Sequence, residues 1–228
     1  MTLKNLSIIV AAKEEGKNLE SILPKLKNYS NDIIVVDGHS KDNTKTICLQ
    51  QGVNFALDNG LGKGDAQRVG AENVKNEYII FFDADGSHDE NDINYIYELI
   101  TSQKYDLVIC SRKKGGSYDL TANTTFIGFI RSTGCDFLTL IFNKFFKTSF
   151  SDILYSYKSL RKDKFINLYT KENGFGIEID ILIKSVKKKY SIIEIPSREK
   201  SRVHGKSKLN TFFGVYFIYQ IIRDWISK

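Results

Sequence analysis

The chain has 228 residues, and its 42% hydrophobic and 26% charged residues are typical of a globular protein with a substantial core. The net charge of +6 favours anionic partners such as phosphates, nucleic acid or an anionic membrane surface. Its three cysteines, Cys48, Cys110 and Cys135, lack the paired spacing of a zinc site or a disulfide-stapled secreted domain. Residues 1–10 lead from a short apolar stretch directly into a charged segment, unlike a signal peptide, so we expect a cytoplasmic protein.

Predicted strands and helices alternate along the first half of the sequence. In residues 14–28, for example, leucine and isoleucine recur at three- and four-residue steps, which is the helical period. The predicted strands cover residues 6–12, 32–37, 53–57, 78–82 and 106–111, and the predicted helices cover residues 14–28, 45–51, 65–74 and 92–102. This alternation predicts an α/β fold with a Rossmann-like, mostly parallel sheet that carries helices on both faces.

Polar residues follow several of the predicted strands. In open parallel sheets, ligands bind beyond the carboxyl ends of the strands, and these ends lie at one edge of the sheet. We therefore expect the polar residues to surround a single site. They are residues 11–15, residues 37–42, Lys63 and residues 83–87.

Two aspartates, Asp83 and Asp85, stand at the end of the apolar strand 78–82. Side chains two residues apart on a strand share a face, so the two carboxylates can converge on one divalent ion and hold it against a diphosphate. Two other interpretations stay open at this point. The residues could form a solvated turn, and Asp-Ala-Asp-Gly-Ser also resembles the aspartyl nucleophile loop of haloacid-dehalogenase-like phosphatases.

The second half of the sequence contains fewer regular patterns. Residues 115–125 are polar and predict a loop, after which apolar residues at helical spacing predict an amphipathic helix through residue 145. Further elements are predicted as a helix over 174–186, a strand over 191–195 and a final helix over 209–226.

The final helix is rich in aromatic residues. Its uncharged stretch, 209–222, is shorter than the roughly 20 residues that span a bilayer. It fits either a helix that lies at a membrane interface or one that packs on the domain's own core. We therefore expect a domain over residues 1–208 and an amphipathic helix over residues 209–228, for which a membrane-interfacial position and packing on the core both stay open.

The order of motifs in the first half resembles that of family 2 glycosyltransferases. The segments that carry the likeness are residues 7–19, residues 36–44 with Val-Asp-Gly-His-Ser, Gly62-Lys63-Gly64 and Asp83-Ala84-Asp85. The resemblance implies a GT-A (nucleotide-diphospho-sugar transferase) fold. It weakens the phosphatase interpretation, because the nucleophile loop of those enzymes normally opens the fold.

The second half resembles dolichyl-phosphate mannosyltransferases and related polyprenyl-phosphate glycosyltransferases. The matching blocks are residues 111–112, 152–161, 174–178, 194–196 and 202–209. The chain departs from the family pattern at several positions of the donor half, namely Ala11, Ala12, Lys13, Gly38 and Ser87. These departures leave guanine and uracil open as the nucleobase.

The resemblance implies inverting transfer of a hexose, mannose or glucose, from GDP-mannose or UDP-glucose to a polyprenyl phosphate. It places Mg²⁺ or Mn²⁺ on Asp83, Asp85 and Ser87. The residues implied to bind the donor are Ala11, Glu15, Asp37, Lys63 and Asp83, and those implied to bind the acceptor phosphate are Arg112, Arg131, Arg202 and Lys208. Asp85, Asp152 and Arg202 form the implied catalytic set, in which Asp152 orients the sugar or an arginine.

Other functions compete with this one. The same fold could use a hydroxyl acceptor on a glycan or wall polymer, with Asp152 as the base. A nucleotide-sugar binding module without turnover is a third possibility. Nucleic-acid binding explains the basic charge, but no motif supports it. For the leading hypothesis we expect peripheral association with the cytoplasmic face of a membrane, either alone or through a partner that anchors the protein.

Overall fold

The structure is a computed structural model, which describes residues 2–117, 126–202, 204–205 and 213–227, with the backbone only for residues 126–131. Its strands are β1 (Leu6–Ala12), β2 (Asp32–Asp37), β3 (Asn54–Leu57), β4 (Tyr78–Asp83), β5 (Leu107–Ser111), β6 (Lys158–Arg161) and β7 (Ile192–Pro196). Its helices are α1 (Gly16–Leu26), α2 (Thr44–Gln50), α3 (Lys63–Asn73), α4 (Asp92–Thr101), α5 (Phe126–Phe146), α6 (Lys162–Asn167), α7 (Ile177–Lys187) and α8 (Phe213–Ile226).

The strands form one sheet in the order β3-β2-β1-β4-β6-β5-β7. All neighbours are parallel except those of β6, which runs antiparallel between β4 and β5. Ser159 of β6 pairs with Ile80 on one side and with Val108 on the other. The prediction of a mostly parallel α/β sheet is therefore confirmed.

Strand β6 and helix α6 were not predicted from the sequence. Strand β6 has only four residues, Lys-Ser-Leu-Arg, and lacks the apolar run or alternation that marks the other strands. Its first residue, Lys158, is nevertheless 1% exposed. A hydrophobicity pattern cannot predict this strand, because lysine counts as a polar residue. The burial of Lys158 depends on a partner elsewhere in the chain.

Both faces of the sheet are buried, and the alternation of side chains along β1 shows how. Ile8 and Val10 pack into one apolar layer with α1, α2 and α4, whereas Ile9 packs into the other with α3, α5, α6, α7 and α8. The cysteines are free thiols: Cys48 and Cys110 are buried, and Cys135 is half-buried.

The described part of the C-terminal helix, α8, joins the second apolar layer. Phe217 and Ile221 are buried there, and the Gln220 side chain donates to the carbonyl of Gly176 at 2.9 Å. The opposite face of α8 is exposed, with Trp225 among its exposed residues. Among the helices that the structure describes, none has both the length and the apolarity to span a membrane. The boundary between residues 208 and 209 stays a prediction.

The close contact of Gly64 with the 172–173 backbone yields a test of the fold. A Cβ atom at Gly64 would lie 2.1 Å from the carbonyl oxygen of Glu172, so the backbone has to move. We expect Gly64→Ala to lower the free energy of unfolding by about 2 kcal/mol in chemical denaturation. The matched control is Gly134→Ala in α5, where no described atom outside the helix lies within 4 Å. That change should stabilise the protein by up to about 1 kcal/mol, and equal midpoints for the two variants would contradict the expected packing.

Candidate active site

A cavity of about 550 Å³ opens at the carboxyl ends of the parallel strands. Ala11 and Ala12 of β1, Gly38 after β2, and Asp83 at the end of β4 lie in its wall. Arg112, which follows β5, lines the same space. The structure thus brings together polar segments that are far apart in sequence, because their strands end at one edge of the sheet.

The cavity contains an ion pair between Lys63 and Asp83. Gly62, with φ of 116°, adopts a backbone conformation that favours glycine and leads into α3 at Lys63. The Lys63 ammonium lies 2.7 Å from Asp83 Oδ1 and 3.2 Å from Glu178 Oε1. Burial opposes both charges, but the pair overcomes it, so the pKa of Asp83 is lowered and that of Lys63 is raised.

His88 supports Asp83 from beneath the cavity. Its ring is 1% exposed and stacks on Tyr157 with a centroid distance of 4.4 Å. The backbone N–H of Asp83 donates to His88 Nδ1 at 3.1 Å, so the ring proton is on Nε2, which lies 3.1 Å from Ser156 Oγ. Ser156 Oγ in turn donates to Asp83 Oδ2 at 2.5 Å.

His88 is itself buried and does not line this cavity. Burial, the largest effect, lowers the pKa of His88 and outweighs the nearby carboxylates, so the ring is neutral. Its role is therefore to orient Ser156 and the Asp83 backbone. The sequence carried no signal for this role, since the hydrogen-bond partner of His88, Ser156, is 68 residues away along the chain.

Asp85 is paired with an arginine from the C-terminal part of the chain. Arg202 NH2 lies 2.5 Å from Asp85 Oδ2, and Arg202 NH1 lies 3.4 Å from Glu15 Oε1. The backbone N–H of Ser87 donates to Asp85 Oδ1 at 2.9 Å. Asp85, Ser87, Glu15 and Arg202 all line the cavity.

The carboxylates of Asp83 and Asp85 fit a divalent cation that arrives with a diphosphate. They are hard oxygen donors on the wall of one cavity, and Ser87 can add a further oxygen. Within the described ranges, no cluster of three or more His, Cys, Asp or Glu side chains forms a metal cage. This arrangement suits Mg²⁺ or Mn²⁺, because such ions in nucleotide enzymes use one or two carboxylates and fill the other positions with water and phosphate.

A second arginine of the cavity, Arg112, is held in place by a buried aspartate. Arg112 Nε and NH2 lie 2.7 and 3.0 Å from the two oxygens of Asp152, and the guanidinium lies 5.1 Å from the Tyr155 ring centroid. Asp152 is 4% exposed, and although burial alone would raise its pKa, Arg112 holds the pKa below its usual value. Asp152 does not line the cavity, so its geometry suits positioning Arg112 better than removing a proton from a substrate.

Glu199 is a cavity residue that no sequence motif identifies. Its carboxylate lies 3.7 Å from Arg112 NH1, and burial raises its pKa above the ordinary value despite that arginine. Glu199 belongs to a segment, residues 197–202, that we call the C-terminal strap. The strap contributes Glu199 and Arg202 to the cavity wall and places Arg202 beside Asp85.

The remaining predicted site residues fall into two groups. The Asp37 carboxylate accepts hydrogen bonds from the backbone and hydroxyl of Ser40, while its neighbour Gly38 and, after β3, Asp58 line the cavity. The side chain of Arg131 and the whole of Lys208 lie outside the described residues. Their proposed contacts with the acceptor phosphate stay predictions.

Comparison with known protein families assigns this chain to a family. Residues 7–168 match the family described as Glycosyl transferase family 2. The chain belongs to this family.

Two curated relatives span most of this glycosyltransferase. The glycosyltransferase AglJ of Haloferax volcanii is 24% identical over 191 residues, which cover 82% of this chain and 61% of that relative, less than two thirds of its length. The UDP-N-acetylglucosamine–dolichyl-phosphate N-acetylglucosaminyltransferase of Methanococcus voltae is 25% identical over 261 residues, which cover 100% of this chain and 99% of that relative.

Solved structures show the same fold. Glucosyl-3-phosphoglycerate synthase from Mycobacterium tuberculosis, in complex with Mn²⁺, UDP-glucose and phosphoglyceric acid, aligns with a TM-score of 0.72 at 17% identity. The alignment covers 96% of this chain and 79% of that one. The same enzyme has also been solved in complex with Mg²⁺ and UDP. The glycosyltransferase described here therefore has a GT-A-like α/β fold.

The C-terminal strap is tethered by charges whose loss in acid can be measured. Lys200 Nζ lies 2.6 Å from Glu90 and 3.0 Å from Asp89, and its backbone N–H donates to the carbonyl of Ser87 at 2.7 Å. Burial would raise the pKa of Glu90, but hydrogen bonds, with that from Lys200 first, hold it at about 2. Because the folded pKa is depressed, this stability is present above the ordinary pKa of 4.5 and is lost as the pH falls towards 2.

We expect Glu90→Gln to flatten the dependence of the melting temperature on pH between 4.5 and about 2. The matched control is Glu98→Gln, which changes an exposed glutamate of the neighbouring helix α4. Thermal unfolding followed by circular dichroism measures both. If the two variants kept the wild-type slope in that pH range, Glu90 would not be the group that tethers the strap.

Proposed function

We propose that this glycosyltransferase transfers a hexose, with inversion, from a nucleotide diphosphate sugar to a polyprenyl phosphate. The observation that carries the proposal is that one cavity holds the carboxylates Asp83 and Asp85 beside the arginines Arg112 and Arg202. The carboxylates suit a metal-bound diphosphate, and the arginines suit a second phosphate. The relative from Methanococcus voltae, named as acting on dolichyl phosphate, supports the choice of acceptor.

On the donor side, Asp83, Asp85 and Ser87 would hold Mg²⁺ or Mn²⁺. When bound, the ion neutralises the charge that builds up on the leaving nucleoside diphosphate. Lys63 adds a permanent positive charge beside Asp83, since its pKa is raised by the two carboxylates around it. Ala11 and Glu15 line the part of the cavity next to β1, where we place the nucleotide.

On the acceptor side, no strong base is needed. A phosphomonoester is largely ionised near pH 7, so one of its oxygens can attack the anomeric carbon directly. The bond from that carbon to the diphosphate breaks, and the nucleoside diphosphate leaves with the electron pair. Arg112, locked by Asp152, and Arg202 would bring the two anions together.

A lipid acceptor is also supported by the apolar surface of two neighbouring helices, α5 and α8. The ring of Phe145 on α5 packs on that of Trp225 on α8 at 4.7 Å. Large apolar side chains are exposed on both helices, namely Phe137, Leu140, Val215, Tyr219, Ile222, Trp225 and Ile226. With exposed Lys144 and Lys147 at the end of α5, this composition suits the interface of an anionic membrane. Peripheral attachment at the cytoplasmic face, with or without an anchoring partner, is part of the proposal.

A hydroxyl acceptor is the second candidate, and Glu199 is the observation that favours it. Its carboxylate lines the cavity beside Arg112 and has a raised pKa, as a general base requires. A solved structure with the same fold contains phosphoglyceric acid, which carries a hydroxyl group as well as a phosphate. In this case Glu199, rather than the enclosed Asp152, would take the proton.

The two candidates predict different products. The protein is incubated with membranes, Mn²⁺ or Mg²⁺ and radiolabelled nucleotide sugars, with GDP-mannose and UDP-glucose first. For the lipid acceptor, label enters an organic-extractable product, whereas label found only in polymer would favour the hydroxyl acceptor. Donor binding without any product would indicate a binding module.

Variants of the two charged groups should separate donor chemistry from acceptor binding. We expect Asp85→Ala to reduce metal-dependent transfer by at least about 100-fold, because the leaving diphosphate loses its stabilisation. Arg202→Ala should mainly raise the KM for the acceptor, by about tenfold. The control is Asp163→Asn, an exposed aspartate of α6 away from the cavity. Equal transfer by Asp85→Ala and wild type would refute the proposed mechanism.

The membrane surface can be tested separately. Leu140 is 64% exposed on α5, so Leu140→Glu should leave the fold intact but weaken binding to vesicles that contain phosphatidylglycerol by on the order of tenfold. Cosedimentation measures the binding. The control, Leu49→Glu, places the same charge on a 62% exposed leucine of α2, in the other helical layer. If both variants bound vesicles as wild type does, the α5 and α8 surface would not be the membrane contact.

A further inference from the structure

A row of four charges with alternating sign runs from the sheet to the cavity. Lys158 on β6 and Glu178 on α7 form the inner pair, with 2.6 Å between Lys158 Nζ and Glu178 Oε2. Lys63 and Asp83 form the outer pair, with 2.7 Å between Lys63 Nζ and Asp83 Oδ1. The two pairs are joined, because Lys63 Nζ also lies 3.2 Å from Glu178 Oε1. The function proposed above uses the outer pair but gives the inner pair no role.

The inner pair, Lys158 and Glu178, keeps its position when the contents of the cavity change. Lys158 is 1% exposed, lies on the strand between β4 and β5, and also donates to the backbone carbonyl of Tyr155. Removing either partner would leave an uncompensated charge inside the protein, which is strongly unfavourable. Glu178 therefore keeps its position, and its Oε1 atom stays directed at Lys63 and at Gln67 Nε2, which is 3.3 Å away.

Lys63, by contrast, has a flexible side chain within reach of two carboxylates. Its ammonium is closer to Asp83 than to Glu178, and both Lys63 and Glu178 line the cavity. A small rotation of the lysine side chain is enough to exchange one carboxylate for the other as its main partner.

A divalent cation at Asp83 changes the balance between these two partners. The cation and the ammonium repel each other, and the repulsion is stronger than in bulk water because the Lys63 and Asp83 side chains are mostly buried. Without a second carboxylate, Lys63 would either oppose the cation or become an unpaired buried charge. Glu178 offers the ammonium an anion that the cation does not occupy.

We propose that Glu178, fixed by its ion pair with Lys158, is a second docking position that receives the Lys63 ammonium when a divalent cation binds Asp83. Glu178 and Lys158 are then positioning residues, which act on the metal site through Lys63. This inference rests on the proposed function only for the identity of Asp83 as a metal ligand. It also explains why two further charges, Lys158 and Glu178, are buried behind Asp83.

Binding of Mn²⁺ tests this proposal without any turnover. Free Mn²⁺ is measured by electron paramagnetic resonance during titration of the protein, first with the metal alone and then with saturating UDP or GDP. We expect Glu178→Gln to weaken Mn²⁺ binding by on the order of tenfold, because Lys63 then has Asp83 as its remaining carboxylate. Adding Lys63→Met to Glu178→Gln should restore the affinity to within about twofold of wild type, because the competing cation is gone.

The rescue separates positioning from a merely structural role. If Glu178→Gln acted by loosening the fold, the removal of a second buried charge would not restore Mn²⁺ binding. Asp180→Asn is the matched control, because Asp180 is a buried carboxylate of the same helix that pairs with Lys184 instead. Its Mn²⁺ affinity should equal that of wild type.

A second variant controls for the possibility that Glu178→Gln alone prevents folding. Lys158→Met with Glu178→Gln removes both inner charges, so no buried charge is left unpaired. The same loss of Mn²⁺ affinity is expected, again reversed by Lys63→Met. Wild-type affinity in Glu178→Gln, or a loss that Lys63→Met does not reverse, would overturn this inference. Absence of Mn²⁺ binding by the wild-type protein under every condition would instead overturn the metal site on which it rests.

Discussion

Burial of both faces of a parallel sheet is the constraint on which this structure depends. Alternate residues of β1, such as Ile8 and Ile9, enter opposite apolar layers, so the middle of the strand has no room for unpaired polar groups. Polar side chains are left to the strand ends. Because β1, β2 and β4 run in the same direction, those ends meet at one edge, and the cavity forms there.

Charge pairing is the second feature that organises the site. Asp83, Asp85 and Asp152 each have a cationic partner from a distant part of the chain: Lys63, Arg202 and Arg112, respectively. These pairs make it possible to keep several charges in a partly enclosed space. For the function proposed above, they mean that a metal-bound nucleotide or a phosphate would have to exchange partners with these ion pairs. Glu178, next to Lys63, offers the lysine a second partner for such an exchange.

Much of the fold was predictable from the sequence, and the exceptions have physical causes. Strands such as 78–82 can be predicted from the sequence, because fully buried parallel strands are continuous apolar runs. Strand β6 does not, since its burial depends on the pairing of Lys158 with Glu178, twenty residues further along the chain. For the site, motif order selected Asp83, Asp85, Arg112 and Arg202, which the structure brings together in one cavity. His88, Ser156 and Glu199 were not selected, because their roles arise from contacts between separate elements.

The sequence by itself determined the class of the protein: a parallel α/β domain of family 2, with Asp83 and Asp85 at the end of a strand. Local patterns suffice for this, because strand burial and motif spacing are properties of short segments. Only the tertiary structure decided how the charges are shared. It enclosed Asp152 behind Arg112, left Glu199 in the cavity, and placed Lys63 between two carboxylates. Such pairings depend on distances of a few ångströms between elements far apart in the chain, and no local pattern encodes them.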